Sequence, residues 1–346
     1  MYMNIYVGEP ARQQFFHPHL HFTISLHRHS PLNILPIYNT NQYLPPQSHT
    51  HKMAPAATAD LALPDLVPES RETQANQSIP QLFSLNGGTT LITGGGRGLG
   101  LELAHAVIEA GGSVACIDIL PHEVVEIDMM ALQKRAKVSG LHAPYHRVDI
   151  TNEPELEAVY ASIIATAKQQ GNPLQGVIAC AGIQQITKAV DYTVPDFQRM
   201  FNVNVTGAFL TAKHAAREFM ASGTRGSIVM IASMSGRITN RSLDCSAYNS
   251  SKAAVLQLTR SLAAEWGPKH GIRVNSLSPG YIRTAMTDKL LRDEPEIHET
   301  WMRGAMLDRL GAPQDFKAPA IFLLASGSAW MTAADLTVDG GHTGWA

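Results

Sequence analysis

Cysteine is scarce in this chain: three residues in all, Cys116, Cys180 and Cys245. Three thiols build no disulfide framework, and their spacings match no zinc site, so a stapled secreted scaffold and a structural zinc module are both excluded and reducing surroundings fit best. Cys116 and Cys180 fall within apolar β-branched runs, where cysteine acts as a small hydrophobe. An excess of charge is missing too. Twenty-seven basic residues against 29 acidic ones leave a net charge of −2, which offers nucleic acid no electrostatic foothold. No apolar run approaches the ~18 residues of a membrane span, so neither membrane nor nucleic acid is an expected partner and a cytoplasmic location is expected.

What the first ~80 residues lack is periodicity. They hold half of the 20 prolines and seven of the 15 histidines, without sustained helix or strand spacing. Residues 1–84 therefore read as a disordered extension. His17, His19 and His21 alternate as strand neighbours would, but Pro18 interrupts any ladder and no cysteine or carboxylate stands near, so no metal is expected. Glu9 is the only acid among the first 50 residues, a trait of mitochondrial transit peptides, whereas basic residues there are limited to Arg12 and Arg28. A start of translation at Met53 is the favoured reading, and both stay open.

From residue 85 to 346 apolar strands alternate with longer amphipathic stretches, the pattern of one domain built on a parallel sheet. The strand Thr89–Thr93 runs into Thr-Gly-Gly-Gly-Arg-Gly-Leu-Gly (93–100), and helical apolar spacing follows to Ala110. Glycines at such a strand-to-helix turn permit tight backbone geometry, and the helix N-terminus presents free amides and a positive dipole end to a phosphate. Gly94 and Gly98 shape the turn, while Gly100 lets the helix pack closely on the sheet. A second strand, Ser113–Asp118, ends in an acid placed to accept hydrogen bonds from an adenosine ribose, which argues for NAD. Arg97 pulls toward NADP, since a guanidinium in the turn could reach a 2′-phosphate; a solvated surface arginine is the plainer reading.

Tyr248 and Lys252 share a helix face at i and i+4. A free phenol titrates near ~10, too high for an efficient base at neutral pH, and one cation at ~4 Å in an effective dielectric of ~20 is worth up to roughly 4 kcal/mol before screening. Lysine is thus expected to bring the tyrosine toward working pH. Ser233 closes the apolar run Ser227–Ala232 as a hydroxyl at a strand's carboxyl end. Asn204 lies in Phe-Asn-Val-Asn-Val-Thr-Gly, and Pro279-Gly280 follows another strand. Four of these have a bland alternative, Ser233 as a strand cap, Asn204 as a helix-kink residue, and Tyr248 and Lys252 as helix-face residues, but their joint order points to one site.

In that order these motifs resemble the short-chain dehydrogenase/reductase family from about Phe83 to the C-terminus. Thr93, Gly94, Gly98 and Gly100 match its glycine motif, and Asn204, Ser233, Tyr248 and Lys252 match its catalytic tetrad. Two departures stand out: Cys180-Ala181-Gly182 where Asn-Ala-Gly is usual, and 15 residues from Ser233 to Tyr248 where 13 is common. The longer spacing resembles the fungal polyol and ketose branch, the arabinitol, mannitol and sorbose/xylulose oxidoreductases. So do the stretch Ser278–Met286 and the ending Leu336–Trp345.

The resemblance implies a doubly wound (Rossmann) α/β fold of seven parallel strands, starting near Thr89, Ser113, Ala143, Gly176, Ser227, Arg273 and Asp335. It implies a nicotinamide dinucleotide, NAD first and NADP second, cradled by Gly94, Arg97, Gly98, Leu99 and Gly100, with Asp118 at the ribose and Asp149 and Ile150 at the adenine. Ala181, Gly182, Pro279, Gly280 and Thr284 would line the nicotinamide end, with Tyr248 and Lys252 beside it. Tyr248 would exchange the substrate proton, Ser233 hold the substrate oxygen, Lys252 bind the nicotinamide ribose and Asn204 hold a water. Gln184, Gln185, Asn240, Arg241 and Ser242 suit a polyol or ketose, or else are solvated loop residues. Residues 281–310, with Tyr281, Met286, Leu290, Trp301 and Met306, form the expected lid. Helices near Asp196–Ser222 and Ser246–Trp266 would pair subunits into a homotetramer. An NADP-dependent carbonyl reductase is the alternative activity; a dinucleotide sensor without catalysis fits less well, because all four tetrad groups are intact.

Overall fold

The computed structural model describes residues 77–345 apart from 284–286, 288–290 and 293–294. The histidines at 17, 19 and 21, Met53, Thr284, Met286 and Leu290 lie outside them.

Every strand pair is parallel. Seven strands, β1 (Thr89–Thr93), β2 (Ser113–Asp118), β3 (Tyr145–Arg147), β4 (Leu174–Ala179), β5 (Ser227–Ile231), β6 (Arg273–Pro279) and β7 (Asp335–Val338), lie in the order 3-2-1-4-5-6-7. Side chains alternate between two apolar layers. Leu91, Val177 and Ile228 face one, packed by α4 (Glu153–Gln169), α6 (Ala208–Ser222) and α7 (Ser246–His270). Ile92, Ile178 and Val229 face the other, packed by α2 (Gly98–Glu109), α3 (His122–Val138) and α9 (Lys317–Leu324). Burial on both faces explains why these strands are continuously apolar. Before the sheet, the short α1 (Ile79–Leu82) leads into Phe83, whose ring lies 6.0 Å from that of Phe322.

Two strands begin two residues from the expected positions. β3 starts at Tyr145 and not Ala143, because Pro144 has no N–H to give a ladder. β4 starts at Leu174 and not Gly176; the exposed Gln175 breaks the apolar run that would have revealed it. The helix expected over Asp196–Ser222 is interrupted. It comprises α5 (Val194–Phe201), a π-turn (Asn202–Gly207) and α6. The helix carrying Tyr248 runs past Trp266 to His270 and stops at Gly271, which takes the left-handed conformation at φ +64°.

The strand order reverses between β1 and β4, so the crevice of a doubly wound sheet opens at their carboxyl ends. Thr93 closes its floor. Its hydroxyl accepts from the amides of Cys180 at 3.0 Å and Ala181 at 3.1 Å, tying the two strand ends together. Above this edge a third apolar cluster gathers Met200, Leu243, Cys245, Tyr248 and Trp301. Among the described residues no helix is long and apolar enough to cross a membrane.

Candidate active site

The glycine turn is built for close approach. Gly94 (φ +68°) and Gly98 (φ +51°) adopt conformations that side chains disfavour, and a Cβ on Gly94 would meet the Ala181 Cα at 2.9 Å. A Cβ on Gly100 would stand 2.0 Å from the Gly94 carbonyl oxygen, so α2 can start here only with glycine at that position. Asp118, 8% exposed at the end of β2, accepts from the Gly96 amide at 3.0 Å and from the Leu120 amide at 3.2 Å. One carboxylate thus ties the turn to the second strand while keeping lone pairs for a ribose. Arg97 caps the start of α2. An amide-lined helix start, a glycine cradle and an acid at the β2 terminus together fit a dinucleotide.

Asp149 and Ile150 follow β3. Asp149 accepts from both the amide and the hydroxyl of Thr151, whereas Ile150 is buried, and a Cβ on Gly207 would meet its Cδ1 at 2.5 Å. The isoleucine thus packs against the π-turn.

The four tetrad residues converge at the carboxyl edge. Ser233 leaves β5 at the cap of a short 3-10 turn, where its hydroxyl accepts from the Ser235 amide at 3.1 Å; it is also hydrogen-bonded to Tyr248. Lys252, 1% exposed, donates from Nζ to the Ile231 carbonyl at 2.8 Å, with Nζ 5.8 Å from the centre of the Tyr248 ring. Asn204 sits in the π-turn, a local widening of the helix common at functional sites. Its amide accepts from the Ile183 N–H at 2.8 Å and donates to the Ile183 carbonyl at 2.9 Å and to Ser251 Oγ at 3.0 Å. Gly182 fits between, since a Cβ there would meet Asn204 Oδ1 at 3.2 Å and Lys252 Nζ at 3.6 Å.

Electrostatics differ from the expectation that Lys252 lowers the phenol. Burial raises the Tyr248 phenol well above its ordinary range, and the Ser233 hydrogen bond offsets only part of this. Burial also pulls Lys252 down to about 8, so its ammonium persists at neutrality and is lost as pH rises past that value. In this arrangement desolvation is the largest influence on both groups.

Over Tyr248 lies a cleft lined by Gln184, Ser233, Asn240, Tyr281, Thr287 and Trp301, among others, with about 40 Å³ of room for water-sized molecules. Pro279, at the end of β6, and Gly280 stand on its other side. A Cβ on Gly280 would meet the Asp339 Cα at 2.7 Å.

Of the polar residues expected at the substrate, two face the cleft and three do not. Gln184 and Asn240 are buried there, and Asn240 donates to the Tyr281 hydroxyl at 2.9 Å. Arg241 and Ser242 are exposed, and Gln185 is engaged by Arg199 at 3.2 Å and by Thr187 at 3.2 Å. Arg241 and Ser242 answer to the solvated-loop alternative, whereas Gln185 is half-buried and bonded to protein partners at both ends of its amide. Within residues 281–310, the segment expected as a lid, Tyr281 and Trp301 stack at 3.9 Å and 4°, while Met306 is 47% exposed. The helix α8 (Pro295–Gly304) is tied to the C-terminal tail, where Trp345 Nε1 donates to the Gly304 carbonyl at 2.7 Å. Cys245 is held up to about 11 by burial and by the Asp244 charge, which marks it as a structural thiol.

The family profile described as "Enoyl-(Acyl carrier protein) reductase" matches residues 94–343. The chain belongs to the short-chain dehydrogenase/reductase family. It is 42% identical over 286 residues to the short-chain dehydrogenase/reductase notP' of Aspergillus versicolor, covering 80% of this chain and 96% of that protein. It is 37% identical over 264 residues to galactitol 2-dehydrogenase (L-tagatose-forming) of Cereibacter sphaeroides, covering 76% and 98%. Among solved structures it resembles a gluconate 5-dehydrogenase from Burkholderia cenocepacia in complex with NADP and tartrate, with a TM-score of 0.70, 28% identity and coverage of 78% and 100%. As a member of this family the chain is an NAD(P)-dependent oxidoreductase acting on CH–OH groups.

Proposed function

We propose that this enzyme interconverts a sugar alcohol and its ketose. The observation that carries the reading is the cleft itself: the Ser233–Tyr248 pair lies at its base, and the buried amides of Gln184 and Asn240 line its wall. Buried amides in a binding cleft favour a ligand rich in hydroxyls. The 37% identity to a galactitol 2-dehydrogenase supports the same class.

When bound at the glycine turn, the nicotinamide supplies or receives the hydride. In reduction Tyr248, held protonated by its burial, gives its proton to the substrate carbonyl oxygen while Ser233 donates a hydrogen bond to that oxygen. In oxidation the proton runs back from the substrate hydroxyl to the phenolate. Lys252, whose Nζ lies near Gly182, would hold the ribose of the cofactor and offer its charge to the phenolate as it forms. Asn204 positions the loop carrying Ala181 and Gly182, and a water held beside it would carry the proton onward. Asp118 favours NAD by setting its charge against a 2′-phosphate, and Arg97 gives NADP a smaller share.

The stacked Tyr281–Trp301 wall favours a second reading, reduction of a flat cyclic ketone with NADPH. A panel of polyols, ketoses and cyclic ketones assayed with both cofactors separates the two. Turnover confined to cyclic or aromatic ketones would overturn the polyol reading. We also infer assembly into a homotetramer through α5–α6 and α7, supported by the exposed small face of Ala253 and Ala264 on α7 and by the part-exposed Phe209. Light scattering giving a monomer mass would refute it.

A further inference from the structure

Among the described residues that line the cleft, two side chains hold a buried polar atom without a hydrogen-bond partner: Gln184 at Oε1 and Trp301 at Nε1. Both are almost wholly enclosed, Gln184 at 4% exposure and Trp301 at 1%. A buried acceptor and a buried donor left unpaired are costly to the folded state, and such groups persist where a ligand supplies the partner. Their origins differ. Gln184 comes from the loop after β4, two residues beyond Gly182, while Trp301 projects from α8. They therefore approach the cleft from separate elements, one beside the expected nicotinamide end and one from the lid.

Neither atom is needed to hold its own side chain. The Trp301 ring is fixed by its stack on Tyr281, which in turn accepts a hydrogen bond from Asn240. The indole N–H is thus free to serve a ligand at no cost to the stack. Gln184 lies in a loop whose anchoring is done by the neighbouring Ile183 backbone through Asn204.

We propose that Gln184 and Trp301 are specificity residues that read hydroxyl groups flanking the reacting carbon, Gln184 Oε1 accepting from one and Trp301 Nε1 donating to one. The assignment rests on the polyol reading above and makes it specific. Discrimination arises because a ligand lacking those hydroxyls leaves both atoms buried and unpaired, whereas a hydroxylated ligand satisfies them.

The test uses a matched pair of ketones, 1,3-dihydroxy-2-butanone, with a hydroxyl on each flank of the carbonyl, and 2-butanone, with the full-length parent enzyme and two near-isosteric variants, Gln184→Met and Trp301→Phe. The phenylalanine keeps an aromatic ring against Tyr281 and removes only the N–H; the methionine keeps the length of the side chain and removes the acceptor. Each variant should lose roughly ten- to a hundredfold in kcat/KM for the hydroxyketone, with a far smaller loss for 2-butanone and an unchanged KM for the cofactor. Equal losses on both ketones, a raised cofactor KM, or no loss at all would overturn the assignment. If the parent turns over polyols but the variants keep its preference for the hydroxyketone, the pair is wrong while the polyol reading stands. A parent that shows no preference for the hydroxyketone and turns over no polyol removes both.

Discussion

Asn204 pairs with Ile183 as one strand residue pairs with another, its side-chain amide accepting from the Ile183 N–H at 2.8 Å and donating to the Ile183 carbonyl at 2.9 Å. The π-turn widens the helix at Asn204, and the amide reaches across to the loop after β4. That loop carries Ala181 and Gly182 on one side and Gln184 on the other. A single side chain therefore sets the spacing between the cofactor end of the site and the substrate end.

Asn204→Ala should leave both Ile183 backbone groups without their partner. An unpaired buried group costs about 1–3 kcal/mol, so the variant should lose at least about 2 kcal/mol of stability. Thermal unfolding reads that loss, and kcat should fall with it as the loop drifts. An unchanged melting temperature would show that the loop is held by other contacts.

Gly100→Ala tests the cradle. Its Cβ would stand 2.0 Å from the Gly94 carbonyl oxygen, a backbone atom that cannot swing aside, so the turn or the start of α2 must move. Cofactor affinity should drop by roughly an order of magnitude or more, with a measurable loss of stability, since the amides of the turn no longer converge. Titration of cofactor fluorescence checks the first and calorimetry the second; retention of parental affinity would mean the turn does not hold the dinucleotide.

The parts of this site that were legible in the sequence are those where one residue type has one physical reason to occur. Gly94, Gly98 and Gly100 are demanded by backbone geometry, and Ser233, Tyr248 and Lys252 by reactive groups at fixed spacing. Continuous β-branched runs revealed five strand starts, because both faces of a parallel sheet are buried. What could not be read were partners that any residue supplies. The acceptor of Lys252 is the carbonyl of Ile231, and the partner of Asn204 is the backbone of Ile183. Nor does sequence distinguish Gln184 from Gln185, or Asn240 from Arg241. Neighbours along the chain point to opposite sides of a loop, and only its path decides which enters the cleft. The phenol's environment differs from expectation for a related reason: helical spacing reveals the nearby cation but not the depth of burial, which raises the phenol.

Lys252 should leave its mark on pH dependence. Burial lowers it from 10.5 to about 8, so the ammonium is present below that pH and lost above it. In the reductive direction Tyr248 stays protonated through this range, and kcat/KM should fall as pH rises past about 8. Folding shows the opposite slope. The unfolded chain keeps the lysine proton up to about 10.5, so between about 8 and 10.5 it binds more protons than the folded state and stability rises with pH. Lys252→Met should flatten that rise in denaturant titrations across the window. A stability slope unchanged by the substitution would assign the titration to another group.

Tyr248→Phe separates chemistry from architecture most cleanly. The substitution removes one oxygen, hydrogen-bonded to Ser233, and leaves a ring of the same shape buried at the base of the cleft. No glycine of the cofactor turn is touched, and the Lys252 bond to Ile231 does not involve the phenol. Loss of a general acid or base costs roughly two to four orders of magnitude in rate, so turnover should collapse by about that factor while the dinucleotide still binds with near-parental affinity. Stability should hold or rise slightly, because a buried hydroxyl is exchanged for a purely apolar ring. Lys252→Ala should behave differently, weakening both turnover and cofactor binding, since the ammonium would serve the ribose as well as the phenol. Measured together with one competent substrate, the two variants distinguish a proton donor from a cofactor ligand. Substantial turnover by Tyr248→Phe would place the acid elsewhere, and equal loss of cofactor binding in both would reduce Tyr248 to a structural residue of the cleft.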